Sequence, residues 1–337
     1  LSIFEEIKEL VDNAETILIL QPDNPDGDSM GSALGLEELL GDLGKKPIMF
    51  SYKPSEPYLR LNEGWDRVSQ TFPKAFDLTI LVDTASPSLL VNTLEKHGAE
   101  LSKQPAIVID HHKSRSELGF VTHELIDPQA ASTGEQIVQL AEALEWPINK
   151  QAATKLAAAI ISDSLNLTIA MTGYGTVAAL ASCVKAGANL SDMNTRKREA
   201  NALTPELLTL KAKLLATVEY AFDGRLAIAT IDAQTMSDYI EIHDPCDLII
   251  WEMQWVKGVE VAAVFKHYKT KIKCSMRAKR PIAGELAKAF DGGGHDRAAA
   301  FRAEGTDMET AVMKFKEAFD VIGKPQENKQ EELKETA

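Results

Sequence analysis

Residues 16–31 read TILILQPDNPDGDSMG. Five apolar or β-branched residues run without a polar interruption, as in a strand buried on both faces of a parallel sheet. They stop at a loop of Pro, Asn and Asp, where Asp26 and Asp28 stand two apart just before Gly31 and Ser32. A helix is expected after them, from about residue 30 to 42. Two further runs end in the same way: residues 78–82 (LTILV) stop at Asp83, and residues 106–109 (AIVI) stop at Asp110-His111-His112. Open α/β sheets build their sites at the carboxyl ends of their strands. Three runs therefore bring acids and imidazoles to one edge.

Working outward, a helix near residues 3–11, the helix at 30–42 and a strand at 47–50 complete the alternation of a doubly wound α/β domain with a mainly parallel sheet. From 132 to 203 nearly everything reads as helix, and STGEQIVQLAEALE opens on a capping box of Ser132 and Glu135. The pattern divides the chain into an N-terminal domain over 1–195, a helical linker over 196–220, a smaller α+β domain with a mixed sheet over 221–323, and a tail over 324–337. In the second domain strands are expected at 226–231, 259–265 and 271–276, and helices at 282–290 and 308–321. The tail is charged and lacks aromatic residues, the composition of a solvated, disordered segment.

With 337 residues the chain suits two separate cores, and 45% hydrophobic with 26% charged residues is ordinary for a globular protein. A formal charge of −14 argues against coating long nucleic acid, which requires many cations to displace counterions from phosphates. Short polyanions remain admissible where positive charge is local. Cys183, Cys246 and Cys274 are odd in number and widely spaced, so no disulfide framework or cysteine zinc site is expected, and a cytoplasmic location is. The start, LSIFEEIKELVDNAE, is amphipathic and acidic, and no apolar run is long enough for a bilayer, so neither secretion nor a membrane is expected. Leu1 in place of an initiator Met implies a trimmed start.

An aspartate after a strand is most often a turn or N-cap residue. Adjacent histidines at a strand end serve no packing purpose, and the combination points to metal. Asp26 and Asp28 facing one cavity repel each other unless cations hold them. Asp83 would bridge two ions, His111 would add an imidazole, and Asp163 in AAIISDSLNL would add a carboxylate from the end of a buried helix. Mixed oxygen and imidazole ligation favours manganese, iron or magnesium over structural zinc, and two such ions suit phosphoryl transfer to water.

These residues resemble a known family. PDGDSMGS, the VDTAS around Asp83, the IDHH of Asp110 to His112 and the ISDS around Asp163 are similar to the four motifs of the DHH phosphoesterase superfamily. ELIDPQAASTGEQIV resembles the segment between its third and fourth motifs, and DGGGHDRAAAF at 291–301 resembles the GGGH signature of the DHH-associated domain. The nano-RNase and pAp-phosphatase type is the nearest pattern. The resemblance implies two manganese ions, with magnesium or another divalent ion as substitutes: Asp26 and Asp83 on one, and Asp28, Asp83, His111 and Asp163 on the other. It implies that Asp110 orients His111, that His112 is the general acid and that a metal-activated water attacks. It implies substrate contacts by Arg277, His295, Gly293 and Gly294. The family's first motif opens with a histidine where this chain has Pro22, leaving Gln21 or Asp23 as replacement ligands.

Eight basic residues between Lys257 and Arg280 face the single acid Glu260, which reads as an electrostatic funnel or as a lysine-studded strand edge. After GGGH the family has AAG where this chain has Ala298-Ala299-Ala300, a change expected to reshape the loop. The expected function is hydrolysis of short oligoribonucleotides, dinucleotides such as pApA, and 3′-phosphoadenosine 5′-phosphate, in a cleft capped by the second domain. Partners are short RNA or dinucleotides, with no long nucleic acid and no membrane. Family members often form homodimers, and the residues leave the oligomeric state open. Two alternatives stand beside this reading: a degenerate nucleotide-binding homologue without turnover, and a manganese pyrophosphatase.

Overall fold

The computed structural model describes residues 2–113, 116–200, 202–268 and 271–324. Residues 325–337 of the expected tail lie outside them. Two compact units divide the chain, Leu1–Ala202 and Leu203–Ala337.

In the first unit, β1 (Thr16–Leu20), β2 (Lys46–Phe50), β3 (Leu78–Val82), β4 (Ala106–Asp110) and β5 (His123–Ile126) form one sheet in the order β2-β1-β3-β4-β5. Every neighbouring pair is parallel. Strand alternation sends Ile17, Ile19, Ile80, Val82, Ile107 and Ile109 to one buried face, and Leu18, Leu20, Leu81 and Val108 to the other. Burial on both faces is why the runs contain no charged position and only one buried polar residue, Thr79. β5 has no such run: HELI is only partly buried and carries His123 and Glu124, so it leaves no apolar signal.

Chain order explains the position of the site. From β1 the chain moves outward to β2, then crosses back to place β3 on the other side of β1. The loops after β1 and β3 therefore diverge, and this switch point is where α/β sheets open a crevice. Asp26 and Asp28 follow β1, and Asp83 follows β3.

The helices are α1 (Ile3–Asn13), α2 (Gly27–Asp42), α3 (Val91–Leu101), α4 (Thr133–Ala143), α5 (Lys150–Asp163), α6 (Tyr174–Lys185) and α7 (Leu190–Ala200). α2 begins three residues before the expected start because Asp26 is its N-cap, accepting from the Asp28 and Ser29 N–H groups at 3.0 Å each. Asp28 is thus a residue of the first turn, not of a loop. Only half of the expected capping box on α4 forms. Ser132 Oγ accepts from Glu135 N–H at 3.0 Å, but the Glu135 carboxylate turns to Ala131 N–H.

α2 and α5 meet through glycine. Gly27, Gly31 and Gly35 recur every four residues on one helix face. A Cβ at Gly31 would lie 2.8 Å from the Lys155 carbonyl oxygen, one at Gly35 2.6 Å from Leu156, and one at Gly27 2.0 Å from Ser162 Oγ. The stripe gives up helix propensity, about 1 kcal/mol per glycine relative to alanine. In return it lets α5 approach the backbone of α2.

The second unit holds β6 (Glu219–Ala221), β7 (Leu226–Ile231), β8 (Val261–Tyr268), β9 (Lys271–Ala278), β10 (Gly293–His295) and β11 (Ala298–Ala303), in the order β10-β11-β9-β8-β7-β6. β7 and β8 are parallel and the other pairs antiparallel, so the sheet is mixed. Its helices are α8 (Pro205–Leu215), α9 (Ala233–Tyr239), α10 (Ile250–Trp255), α11 (Ala283–Lys288) and α12 (Met308–Ile322). Phe265, Phe301 and Phe315 pack between the sheet and α12. On the opposite face, Leu207, Leu210 and Leu214 of α8 pack with Ala229, Ile231 and Val264. α8, within the stretch read as linker, is therefore part of this core. Among the described residues no helix is long and apolar enough to cross a membrane.

Two measurements check this account. Gly31→Val should cost about 1–3 kcal/mol in thermal unfolding through overpacking against α5. Gly41→Ala, where an added Cβ meets nothing within 4 Å, should stabilise by up to about 1 kcal/mol. Equal effects would refute the role given to the stripe. For pH, backbone N–H groups of Thr16, Thr235 and Thr310 hold the Asp77, Asp232 and Asp307 carboxyls below their ordinary value of 3.8. A folded pKa below the unfolded one stabilises above that value, and the gain is lost as pH falls through and below it. The midpoint of unfolding should drop as pH falls below about 4, and the drop should be shallower in the triple Asp→Asn variant.

Candidate metal centre

The carboxylates that follow β1 and β3 are held by helix starts. Asp28, fully buried, accepts from Ser32 Oγ at 3.0 Å, from Thr133 N–H at 2.6 Å and from Gly134 N–H at 3.0 Å. The last two are unpaired donors at the N-terminus of α4, a natural anion seat. Asp83 is buried and adopts a left-handed backbone, φ 59°. Its carboxylate accepts from Ser29 Oγ at 2.6 Å and Thr133 Oγ1 at 3.2 Å. Asp163 closes α5 and is followed by three consecutive left-handed residues, Leu165, Asn166 and Leu167, at φ 47°, 59° and 66°. Such conformations cost on the order of 1 kcal/mol or more in non-glycine residues, and here they cut the helix short at its acid.

His111 stands among these three acids. Its Nε2 lies 3.2 Å from Asp163 Oδ2, 3.6 Å from Asp83 Oδ1 and 3.7 Å from Asp28 Oδ2, while Nδ1 faces the Ala130 carbonyl at 3.3 Å. With Nδ1 directed to that carbonyl, Nε2 is the nitrogen presented to the carboxylates. Burial works to lower the imidazole pKa, but the contact with Asp83 and the charges of Asp28, Asp83 and Asp163 prevail and raise it to about 9. Burial pushes the carboxyl of Asp163 up to about 6, and burial followed by the charge of Asp83 pushes that of Asp28 well up. Asp83 is raised too, chiefly by burial. Asp163 also sits at the negative end of the α5 dipole, the wrong end for a carboxylate. Each of these carboxylates is in a place that a cation would stabilise, and the oxygen and imidazole donors suit a divalent ion. Candidate ligand atoms of Asp28, His111 and Asp163 lie within 4.8 Å of one another, as do those of Asp83, Asp110, His111 and His112.

Asp110 differs from its expected role. Its Oδ1 accepts from His112 Nδ1 at 2.7 Å and from the His111 and His112 backbone N–H groups at 2.8 and 3.2 Å. It orients the imidazole of His112, whereas the His111 ring is set by Ala130. That hydrogen bond to Asp110 raises the His112 pKa, and the ring is half exposed. Asp110 Oδ2 is buried with no partner. Asp26 belongs to neither ligand group, because its Oδ1 caps α2.

The two replacement ligands for the missing first-motif histidine separate sharply. The Asp23 carboxylate is occupied by four donors, Asn92 N–H, Asn92 Nδ2, Thr93 N–H and Thr93 Oγ1, at 2.6–3.2 Å, where it anchors the start of α3. These four bonds give the Asp23 carboxylate a structural role at the start of α3 in place of the ligand role expected of it. Gln21 is fully buried, and neither its Oε1 nor its Nε2 has a partner.

Sequence reading missed Ser29, Thr133 and Gln136. Thr133 was legible only as a helix start, although α4 directs its free N–H groups at Asp28. Gln136 Nε2 donates to the Asp110 carbonyl at 2.7 Å and supports the strand end.

In the second unit, backbone register aligns the expected substrate contacts. His295 pairs with Ala298, and Ala298 with Arg277, placing the three positions side by side across β10, β11 and β9. The Arg277 guanidinium lies over Trp251, 5.4 Å from the ring centroid. Gly294 adopts φ 143°, and a Cβ there would meet the Ala298 carbonyl at 2.5 Å; Gly293 pairs with Ala300. The side chain of His295 and all of Lys269 lie outside the described residues. Ala300 sits in β11 without positive φ, so the absent glycine reshapes no loop there. The basic funnel shrinks, because Lys266 is buried against Asp244 at 2.8 Å and Arg280 pairs with Glu260 at 2.6 Å.

A parallel sheet with acids at its switch point, followed by a GGGH strand pair, defines the class. Residues 16–160 match the DHH family N-terminal domain and residues 249–321 the DHHA1 domain. The chain belongs to the DHH family. It is 25% identical to the bifunctional oligoribonuclease and PAP phosphatase NrnA of Thermus thermophilus, over 88% of this chain and 86% of that one. An exopolyphosphatase-related protein from Bacteroides fragilis shares the fold with a TM-score of 0.82 at 20% identity, over 95% of this chain and 96% of that one. The exonuclease RecJ, solved with manganese, aligns with a TM-score of 0.51 at 16% identity over 95% and 92%.

Titration with Mn²⁺ by calorimetry tests the site. Asp83→Asn should weaken binding at least about tenfold, the scale of one lost charged ligand. Asp23→Ala should leave affinity within about twofold yet cost about 2 kcal/mol of stability through its lost charged hydrogen bonds. The reverse pattern would transfer the ligand role to Asp23.

Proposed function

We propose that this chain is a metal-dependent phosphoesterase that hydrolyses short oligoribonucleotides and dinucleotides such as pApA, and also 3′-phosphoadenosine 5′-phosphate. The observation that carries the reading is the convergence of Asp28, Asp83, Asp163 and His111 beside an oriented Asp110–His112 pair. The names of the NrnA relatives support the substrate class.

Asp28, Asp83, His111 and Asp163 would hold a divalent cation, with Mn²⁺ favoured by the mixed donor set. A second cation beside Asp83 would draw on the Asp26 oxygen not used in capping and on Gln21 Oε1. When bound, such ions supply positive charge for the phosphate and a water acidic enough to attack it. The protein's own groups do the rest. Asp110 accepts from His112 Nδ1, which leaves Nε2 as the outward proton donor. The raised pKa keeps that ring protonated to higher pH, as a general acid for the leaving oxygen needs. Arg277 on its Trp251 platform, with Gly293, Gly294 and His295, would contact the remainder of the substrate.

Pro22 and the occupied Asp23 favour one second reading, a nucleotide-binding protein with a weakened metal site. Hydrolysis of pApA with Mn²⁺, followed by chromatography of AMP, distinguishes them. Wild type should turn over, and His112→Ala should lose at least about 100-fold, the usual share of a general acid. No turnover in wild type with gain in Pro22→His would establish the second reading.

A further inference from the structure

Gln21 is fully buried with both ends of its amide unpartnered, which is disfavoured unless something binds the group. Its N–H donates to the Phe50 carbonyl at 3.2 Å and so continues β1 by one residue. Strand alternation then sends the side chain to the face of Ile17 and Ile19, where α2 packs on β1 and β3. Asp26 caps that helix, and Asp83 follows Val82 of the same face. The orphaned amide thus stands at the strand end shared by these two acids.

A second observation concerns Ser29, which is buried between them. Its Oγ lies 3.1 Å from Asp26 Oδ1 and 2.6 Å from Asp83 Oδ2, and it accepts from Asp26 N–H at 3.3 Å. A hydroxyl carries one proton and can donate to only one of two carboxylates. Like charges brought together around a single donor leave a place for a cation.

The donors here are oxygens alone. Pro22 has no side-chain donor, Asp23 is held at α3, His111 Nε2 stands among Asp28, Asp83 and Asp163, and His112 Nδ1 is taken by Asp110. Carboxylate, carbonyl and water suit a hard ion such as Mg²⁺, which binds through one or two carboxylates and keeps several waters, whereas an imidazole favours a transition metal.

We propose that Gln21 Oε1, Asp26 and Asp83 form a site selective for Mg²⁺, so that the loaded chain carries two different ions, Mn²⁺ at His111 and Mg²⁺ at Gln21. This deepens the metal part of the reading above and assigns the selectivity to the amide that stands beside Pro22.

Metal content tests it without substrate. Metal-free chain is dialysed to equilibrium against Mn²⁺ sufficient for both sites together with excess Mg²⁺, and the bound ions are counted. Wild type should hold one ion of each kind, with the EPR spectrum of an isolated Mn²⁺. Gln21→Met should keep the Mn²⁺ and weaken Mg²⁺ at least about tenfold. Should that variant not fold, Gln21→Glu takes its place and should tighten Mg²⁺ at least about tenfold, because affinity rises with ligand charge. Two Mn²⁺ ions or a single ion in wild type, or unchanged Mg²⁺ affinity in the Gln21 variant, would overturn the proposal. One ion of each kind without hydrolysis of pApA would count against the phosphoesterase reading alone, and hydrolysis by a chain holding two Mn²⁺ ions would count against the Mg²⁺ site alone.

Discussion

The close approach of α2 and α5 is the constraint on which the site depends. Gly27, Gly31 and Gly35 remove three side chains from the contact, and Ser162, Ala159 and Leu156 fill the space. Gly134 extends the same logic to α4, where a Cβ would lie 2.6 Å from Ala159. Three helices thereby bring their ends together, and each end contributes to one cluster: Asp28 from the start of α2, the Thr133 and Gly134 N–H groups from the start of α4, and Asp163 from the end of α5. A bulkier face on α2 would separate the acids before it disturbed the sheet.

Electrostatics then divides the labour among like residues. Asp26 and Asp28 sit at a favourable helix end and are satisfied by N–H donors, while Asp163 sits at an unfavourable one and has no such donors among the described residues. Two acids are held in place by the fold, and the third stands where a positive charge would stabilise it, with His111 Nε2 at 3.2 Å. The same division separates the histidines. His111 is surrounded by carboxylates with its second nitrogen on a carbonyl, which is the environment of a ligand, and His112 is tied through Nδ1 to Asp110 with the ring half exposed, which is the environment of a proton donor.

Much of this was legible in the sequence. The three apolar runs declared a parallel sheet because burial on both faces removes charged positions, and the acids at their ends marked the edge where function sits. β5 was illegible because a partly buried edge strand has no continuous run. The extent of α2 was misread because Asp26 looks like a turn residue until its cap bonds are seen, and α8 looked like a linker because helical periodicity does not say which core a helix joins.

Residue types, spacing and strand ends by themselves determined the class of fold and marked the acids and imidazoles at its edge, and the resemblance of the motifs pointed to the family, since each depends on local pattern. Partnership was decided only by the tertiary structure: that Asp110 serves His112, that Asp23 is consumed at α3 while Gln21 stays free, and that Lys266 and Arg280 are neutralised. The physical reason is that a hydrogen bond depends on distance and direction between groups far apart in the chain, and a list of residues carries neither.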